Sequence, residues 1–191
     1  MTEMTKQELN QLLAEEMQVY GNTKKNIREK RFRHQKSYMI WQAVKRLRIY
    51  EYCCSRRDES KNPIIAHIRA FRVKIADRKL NKACEKVDVE LTPNMIGKNI
   101  RICHDNVVLF GKVGENCTFH GNNVVGNKRT GATNGIPKLG NNVDVGFGAM
   151  IIGNIEIAND CVIGAGAVVT KSFSKPGSVL VGVPARDVSK G

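Results

Sequence analysis

Six aliphatic residues in the last third of the chain recur at intervals of six: Leu139, Val145, Ile151, Ile157, Ile163 and Val169. Glycine or alanine follows four of them, at Gly140, Gly146, Ala158 and Gly164. A strand period of two does not select which alternate residues carry the aliphatics, and a helical period of about 3.6 does not fit. A repeat of six with a small residue behind each aliphatic fits a chain wound into flat, three-sided coils. Each hexapeptide is one short strand and its corner; the aliphatic points inward and the small residue lets the chain turn beside its neighbour.

The series extends upstream. Val107, Val113, Phe119 and Val125 keep the spacing, and Ile96 and Ile102 start it, with a slip of one residue expected before Val107. Residues 126–138 (GNKRTGATNGIPK) are polar, glycine-rich and without the period. They read as a loop thrown out of the coil over the active site.

Composition divides the chain at the same place. The formal charge is +13, and residues 1–90 hold 21 Lys/Arg against 12 Asp/Glu. Sixteen of the 17 glycines lie at or beyond Gly97. The expected organisation is a basic α-helical region over residues 1–86 and a β-helical domain over 87–191: a mainly β, parallel β-helix fold behind N-terminal helices. No apolar run reaches the ~18 residues of a spanning helix. The first residues, MTEMTKQELNQLLAEE, lack a signal pattern, so export is not expected and a cytoplasmic chain is. The six cysteines have no metal-type spacing, so neither a metal nor disulfides are expected; Cys117 and Cys161 read as core filling.

In the first region, residues 5–18 read as a short helix, about 26–54 as a longer basic one, and Asn62-Pro63 as the start of a third. In the third, Ile64, Ile65, Ile68, Phe71, Ile75 and Leu80 form a stripe expected to pack against the body of the protein. The cluster Lys24, Lys25, Arg28, Lys30, Arg31 and Arg33 has three readings: a solvated face, peripheral contact with the anionic inner face of a membrane, or nucleic acid. Nucleic acid is disfavoured, because no recognised module is present and Phe32 is the cluster's one aromatic.

The stretches IGKNIRICH, VGENCTFHGNNVVGN, IPKLGNNVDVGFGAMIIGNIEIANDCVIGAGAVVTKSF and VGVPAR resemble, in order, the left-handed β-helix acyltransferases. Within them they resemble the serine acetyltransferase group, which includes enzymes of cysteine synthesis and enzymes that decorate surface polysaccharides. The resemblance covers about half the chain, from near Val87 onward. It implies a homotrimer with active sites between neighbouring subunits. It also implies acetyl-CoA lying in the groove between coils and direct acetyl transfer to an acceptor hydroxyl.

Such a transfer needs a base for the hydroxyl proton, donors for the oxyanion and a held pantetheine arm. Histidine is the natural base. His34 and His67 lie in the basic region and read as surface residues. His104 matches the position of the family's catalytic histidine. The family orients that histidine with an aspartate, whose place is Val89 here; the flanking Asp88 and Glu90 are the candidate substitutes. His120 is the rival: Ile102 to Phe119 is one coil, which places His120 on Cys103 and Gly121 on His104.

The resemblance assigns acetyl-CoA to Gly148, Ala149, Gly166 and Ala167 along the arm, and to Lys171 and Arg186 near the nucleotide phosphates. Cys103, Asp105, Lys128 and Arg129 are the acceptor-side candidates. Serine-specific members carry an aspartate at Cys103 and an arginine–histidine pair at Gly135 and Ile136. A zwitterion needs a carboxylate for its ammonium and a cation for its carboxylate. Their absence favours a sugar or glycan-precursor hydroxyl, free or lipid-linked, in surface polysaccharide synthesis. L-serine is the alternative acceptor, with Lys128 and Arg129 as substitute cations. A non-catalytic scaffold is the alternative of another class.

Overall fold

The structure, a computed structural model, describes residues 4–23, 25–57, 62–128 and 135–189. The chain divides into two compact units, Met1–Val87 and Asp88–Gly191.

The first unit holds α1 (Lys6–Val19), α2 (Ile27–Phe32), α3 (Lys36–Ser55) and α4 (Pro63–Glu85). A capping box starts α1: Glu8 N–H donates to Thr5 Oγ1 at 3.2 Å, and Thr5 N–H donates to Glu8 Oε2 at 2.7 Å. Asn62 starts α4 by accepting from Ile64 N–H at 3.0 Å, with Pro63 in the first turn, where its missing N–H costs nothing. The long helix expected over 26–54 is instead two, because His34 takes a left-handed conformation (φ 49°) between α2 and α3.

Ile40, Ala43, Val44 and Leu47 of α3 and Ala76, Leu80 and Cys84 of α4 are buried where these helices pack. Arg48 of α3 is buried against α1, its Nε and Nη2 donating to Glu16 Oε1 at 3.0 and 2.9 Å and its Nη1 to Glu51 Oε2 at 3.1 Å. Burial opposes the Arg48 charge, but the two carboxylates outweigh it and hold its pKa above the ordinary value. Of the expected apolar stripe of α4, Leu80 is buried, but Ile64, Ile65, Ile68, Phe71 and Ile75 are exposed, Phe71 at 60%. The packing face is the one through Ala76, Leu80 and Cys84, displaced by one residue, or about 100°, around the helix. Among the described residues no helix is long and apolar enough to cross a membrane.

The second unit is a left-handed parallel β-helix. Its strands are β1 (Val89–Leu91), β2 (Arg101–Ile102), β3 (Val107–Leu109), β4 (Lys112–Val113), β5 (Thr118–Phe119), β6 (Val124–Gly126), β7 (Lys138–Leu139), β8 (Asp144–Val145), β9 (Met150–Ile152), β10 (Glu156–Ile157), β11 (Val162–Ile163), β12 (Val168–Val169), β13 (Val179–Val181) and β14 (Arg186–Asp187). They form three sheets, in the orders β1-β3-β6-β9-β12, β10-β7-β4 and β14-β13-β11-β8-β5-β2. All pairings are parallel except β13 with β14, which closes the end as a hairpin. Three inward columns result: Leu91, Leu109, Val125, Ile151, Val169; Ile96, Val113, Leu139, Ile157, Phe173; and Ile102, Phe119, Val145, Ile163, Leu180.

The slip falls differently from the sequence reading. Leu109, not Val107, stacks on Val125, and Val107 takes the smaller inward place beside it. The step from Ile102 to Leu109 is one residue longer than the repeat and the step from Leu109 to Val113 two shorter; both Val107 and Leu109 point inward and both are fully buried. Cys117 and Cys161 fill the core as expected, and burial pushes the Cys117 thiol up to about 11. Of the segment 126–138, residues 129–134 lie outside the described residues; Gly126 ends β6 and Lys138 begins β7.

One corner is built by an asparagine ladder. Asn99, Asn116, Asn142 and Asp160 are all left-handed, with φ of 59°, 58°, 57° and 60°. Asn116 Nδ2 donates to Asn142 Oδ1 at 3.2 Å, and Asn142 Nδ2 donates to Asp160 Oδ1 at 2.8 Å. Asparagine tolerates this conformation because its short polar side chain bonds locally. Asn142→Ala loses both bonds and keeps the unfavourable backbone, so it is expected to cost about 1–3 kcal/mol in a thermal or denaturant melt. Asn142→Gly, which relieves the backbone, should lose less.

Candidate active site

The site candidates follow from register. Ile102 stacks on Phe119 and Phe119 on Val145, so the residues just beyond each also stack: Cys103 with His120, and His104 with Gly121 and then Phe147. Gly121 has no side chain, so His104 and Phe147 face one another across it. Their rings meet edge to face, with centroids 6.4 Å apart and planes at 77°. A Cβ at Gly121 would lie 2.6 Å from His104 Cβ and 3.2 Å from Phe147 Cε2. His104 itself is exposed.

His120 is held by a carboxylate. Asp144 sits beside Thr118 in the β5–β8 register, on the outward side of its strand, and its Oδ1 lies 2.8 Å from His120 Nε2. Both side chains are about half exposed, at 45% and 50%. A pair so wet adds little stability; its effect is to hold the ring through Nε2. Asp144 was not among the sequence candidates, although its signal was present: one residue before Val145 is the outward diagonal neighbour of one residue after Phe119.

Asp88 and Glu90 do not orient His104. Among the described residues neither carboxylate is hydrogen-bonded or ion-paired to it. Val89 points into the core, stacked on Val107. Glu90 is therefore on the outward side of β1, beside Val108 in the first sheet, whereas His104 follows β2 in another sheet. Asp88 is left-handed (φ 48°), and its carbonyl accepts from Val107 N–H.

Cys103 is half-buried, and its N–H donates to Phe119 O at 2.9 Å. Asp105 lies in the same corner as His104, its carbonyl accepting from Asn122 N–H at 3.0 Å. Lys128 is exposed, with its aliphatic stem over Gly153; Arg129 lies outside the described residues. Gly135 has a φ of 95°, and a Cβ there would lie 2.5 Å from Asn154 Oδ1. An arginine at that place would require Asn154 to move.

On the cofactor side, Gly148 and Gly166 stack in successive coils with φ of 72° and 68°. A Cβ at Gly166 would meet nothing within 4 Å, and one at Gly148 only Gly166 backbone at 3.9 Å. Bare main chain thus lines an open strip. Ala149 and Ala167 are not part of it: both are fully buried inside the coil, their N–H groups already donating to Gly146 O and Gly164 O. Lys171 lies over the Phe173 ring, 5.3 Å from its centroid, and Arg186 is exposed on β14. No group of three His, Cys, Asp or Glu able to hold a metal occurs among the described residues.

Comparison with known proteins gives a consistent picture. No family model matches the chain. Over 131 residues it is 34% identical to the mitochondrial serine acetyltransferase 3 of Arabidopsis thaliana, covering 63% of this chain and 33% of the relative. Over 112 residues it is 36% identical to the serine acetyltransferase of Mycobacterium tuberculosis, covering 53% and 46%. The chain thus spans less than half the length of these curated relatives. Among solved structures, a Brucella abortus serine acetyltransferase in complex with coenzyme A superposes with a TM-score of 0.64 at 19% identity, over 97% of this chain and 69% of that one. That likeness is one of fold.

Proposed function

We propose that the chain is an acetyl-CoA-dependent O-acetyltransferase, working within the hexapeptide-repeat acyltransferase family that its sequence relatives support. The observation that carries this reading is an exposed imidazole, His104, at the same corner of the β-helix as a bare-backbone strip at Gly148 and Gly166, which lie two and three coils further on. The strip fits a pantetheine arm, since no side chain blocks approach to the main chain. Acetyl-CoA would supply the activated acetyl group as a thioester. Lys171 and Arg186 are the cations available for its phosphates.

In this reading His104 takes the proton from the acceptor hydroxyl as the hydroxyl oxygen forms its bond to the acetyl carbon; the thioester C–S bond breaks and His104 returns the proton to the departing thiolate. Phe147 buttresses one edge of the imidazole and limits its rotation. His120, fixed by Asp144, presents Nδ1 one coil away as a hydrogen-bonding group for the acceptor. A homotrimer in the cytoplasm, with each site completed by a neighbouring subunit, belongs to the same proposal, as does peripheral contact of the basic helices with an anionic membrane.

The relatives' names support L-serine as the acceptor better than a glycan hydroxyl. Two observations favour the second reading, a neutral sugar hydroxyl: a thiol stands at Cys103, and the place of a cationic side chain is taken by Gly135, closely packed by Asn154. Incubation with acetyl-CoA and either L-serine or neutral sugars, following release of free thiol, decides between them. Turnover with serine supports the first reading, and turnover with sugars alone supports the second. No turnover with either, together with no thermal stabilisation by CoA, would replace both with a non-catalytic scaffold.

A further inference from the structure

The helical unit carries a cavity of about 350 Å³ whose rim is cationic. Arg31 comes from α2, Arg46 from α3, and Lys79, Lys82 and Lys86 from the end of α4 and the residue after it; His34, at the α2–α3 break, completes the rim. No carboxylate lines it, and among the described residues none of these Arg and Lys side chains has an ion-pair partner. Two other cations of the unit are ion-paired: Arg48 takes Glu16 and Glu51, and Arg33 takes Glu29.

Lys79, Lys82 and Lys86 stand three and four residues apart, so they share one face of the helix and repel one another. They continue the face that begins as Ile68, Phe71 and Ile75. The floor differs from the rim: Tyr38, Met39 and Ala83 supply apolar surface, and Gln42 an amide. Convergent cations over a small apolar floor suit a doubly charged group carried on a compact organic body.

We propose that this cavity binds a phosphomonoester or diphosphate group, as a second ligand site separate from the acetyl-transfer chemistry. Bidentate guanidinium contacts from Arg31 and Arg46 and point-charge contacts from the three lysines would share its oxygens. The group can come from a soluble phosphate ester or from a phospholipid headgroup.

The test uses the full chain and inorganic pyrophosphate as probe, read by calorimetry. Saturable binding at about 1 mM or below is expected, weakening as salt rises. The triple variant Lys79→Gln, Lys82→Gln, Lys86→Gln should lose about tenfold or more in affinity. Its helical circular dichroism should be unchanged, because all three side chains are exposed. Lys74→Gln, on the same helix but outside the cavity, should bind as the parent does. Glycerol 3-phosphate and phosphatidic acid vesicles, run side by side, separate the two sources: binding of either supports the site, and the tighter one names the source. Absence of saturable pyrophosphate binding, or equal loss in the Lys74 variant and the triple variant, would overturn the proposal.

Discussion

His104→Ala is expected to lower turnover by about 10²–10⁴-fold, the usual worth of a positioned general base. The fall should appear in kcat and in kcat/KM together, with the KM for acetyl-CoA little changed, because the side chain is assigned to the proton and not to the pantetheine strip. Folding should be preserved: His104 is exposed, and its ring meets that of Phe147 edge to face. Exogenous imidazole should restore part of the rate if the deficit is a missing base. A variant with parental turnover would end the assignment and move the base to His120, the imidazole that already has a carboxylate partner.

The core of the β-helix was legible in the sequence because a period of six reports inward positions directly. Leu139, Val145, Ile151, Ile157, Ile163 and Val169 are all buried in their columns. Where the period falters, the aliphatic pattern no longer reports the inward positions. Leu109 replaced Val107 in its column because the two corners around β3 differ in length, and corner length leaves no mark in the aliphatic pattern. Outward neighbours are harder still. Whether His120 meets Asp144 depends on a diagonal contact between coils, which the register of Phe119 on Val145 permits but does not by itself specify. Position along the chain points to Asp88 or Glu90 as the partner of His104, but strand alternation turns Val89 inward and leaves Glu90 on a different sheet. In the helices, the Ile64–Ile68–Phe71–Ile75 stripe showed an apolar face but not what covers it. The packing was taken by the smaller Ala76–Leu80–Cys84 face, which lets α3 approach closely.

Gly121→Ala should be nearly as damaging to activity as loss of the base itself, for a steric reason. The new Cβ would stand 2.6 Å from His104 Cβ, and that atom is fixed to the backbone of the coil below. Rotating the imidazole does not relieve the contact, so the coil must shift and carry His104 with it. A displacement on the order of 1 Å costs about 10²-fold when a catalytic group must meet its proton in line. Two other effects accompany the clash. The φ of 118° is unfavourable for any side chain, and Phe147 at 3.2 Å is pushed away from the ring it buttresses. Backbone strain alone is separated by Gly177→Ala, where φ is 73° and nothing lies within 4 Å of the added atom. That control should lose about 1–2 kcal/mol of stability and retain parental turnover. Gly121→Ala should lose turnover well beyond what its melting temperature explains. If the two variants lost the same stability and both kept their rate, the glycine would be a feature of the turn only, and His104 would not depend on the gap above it.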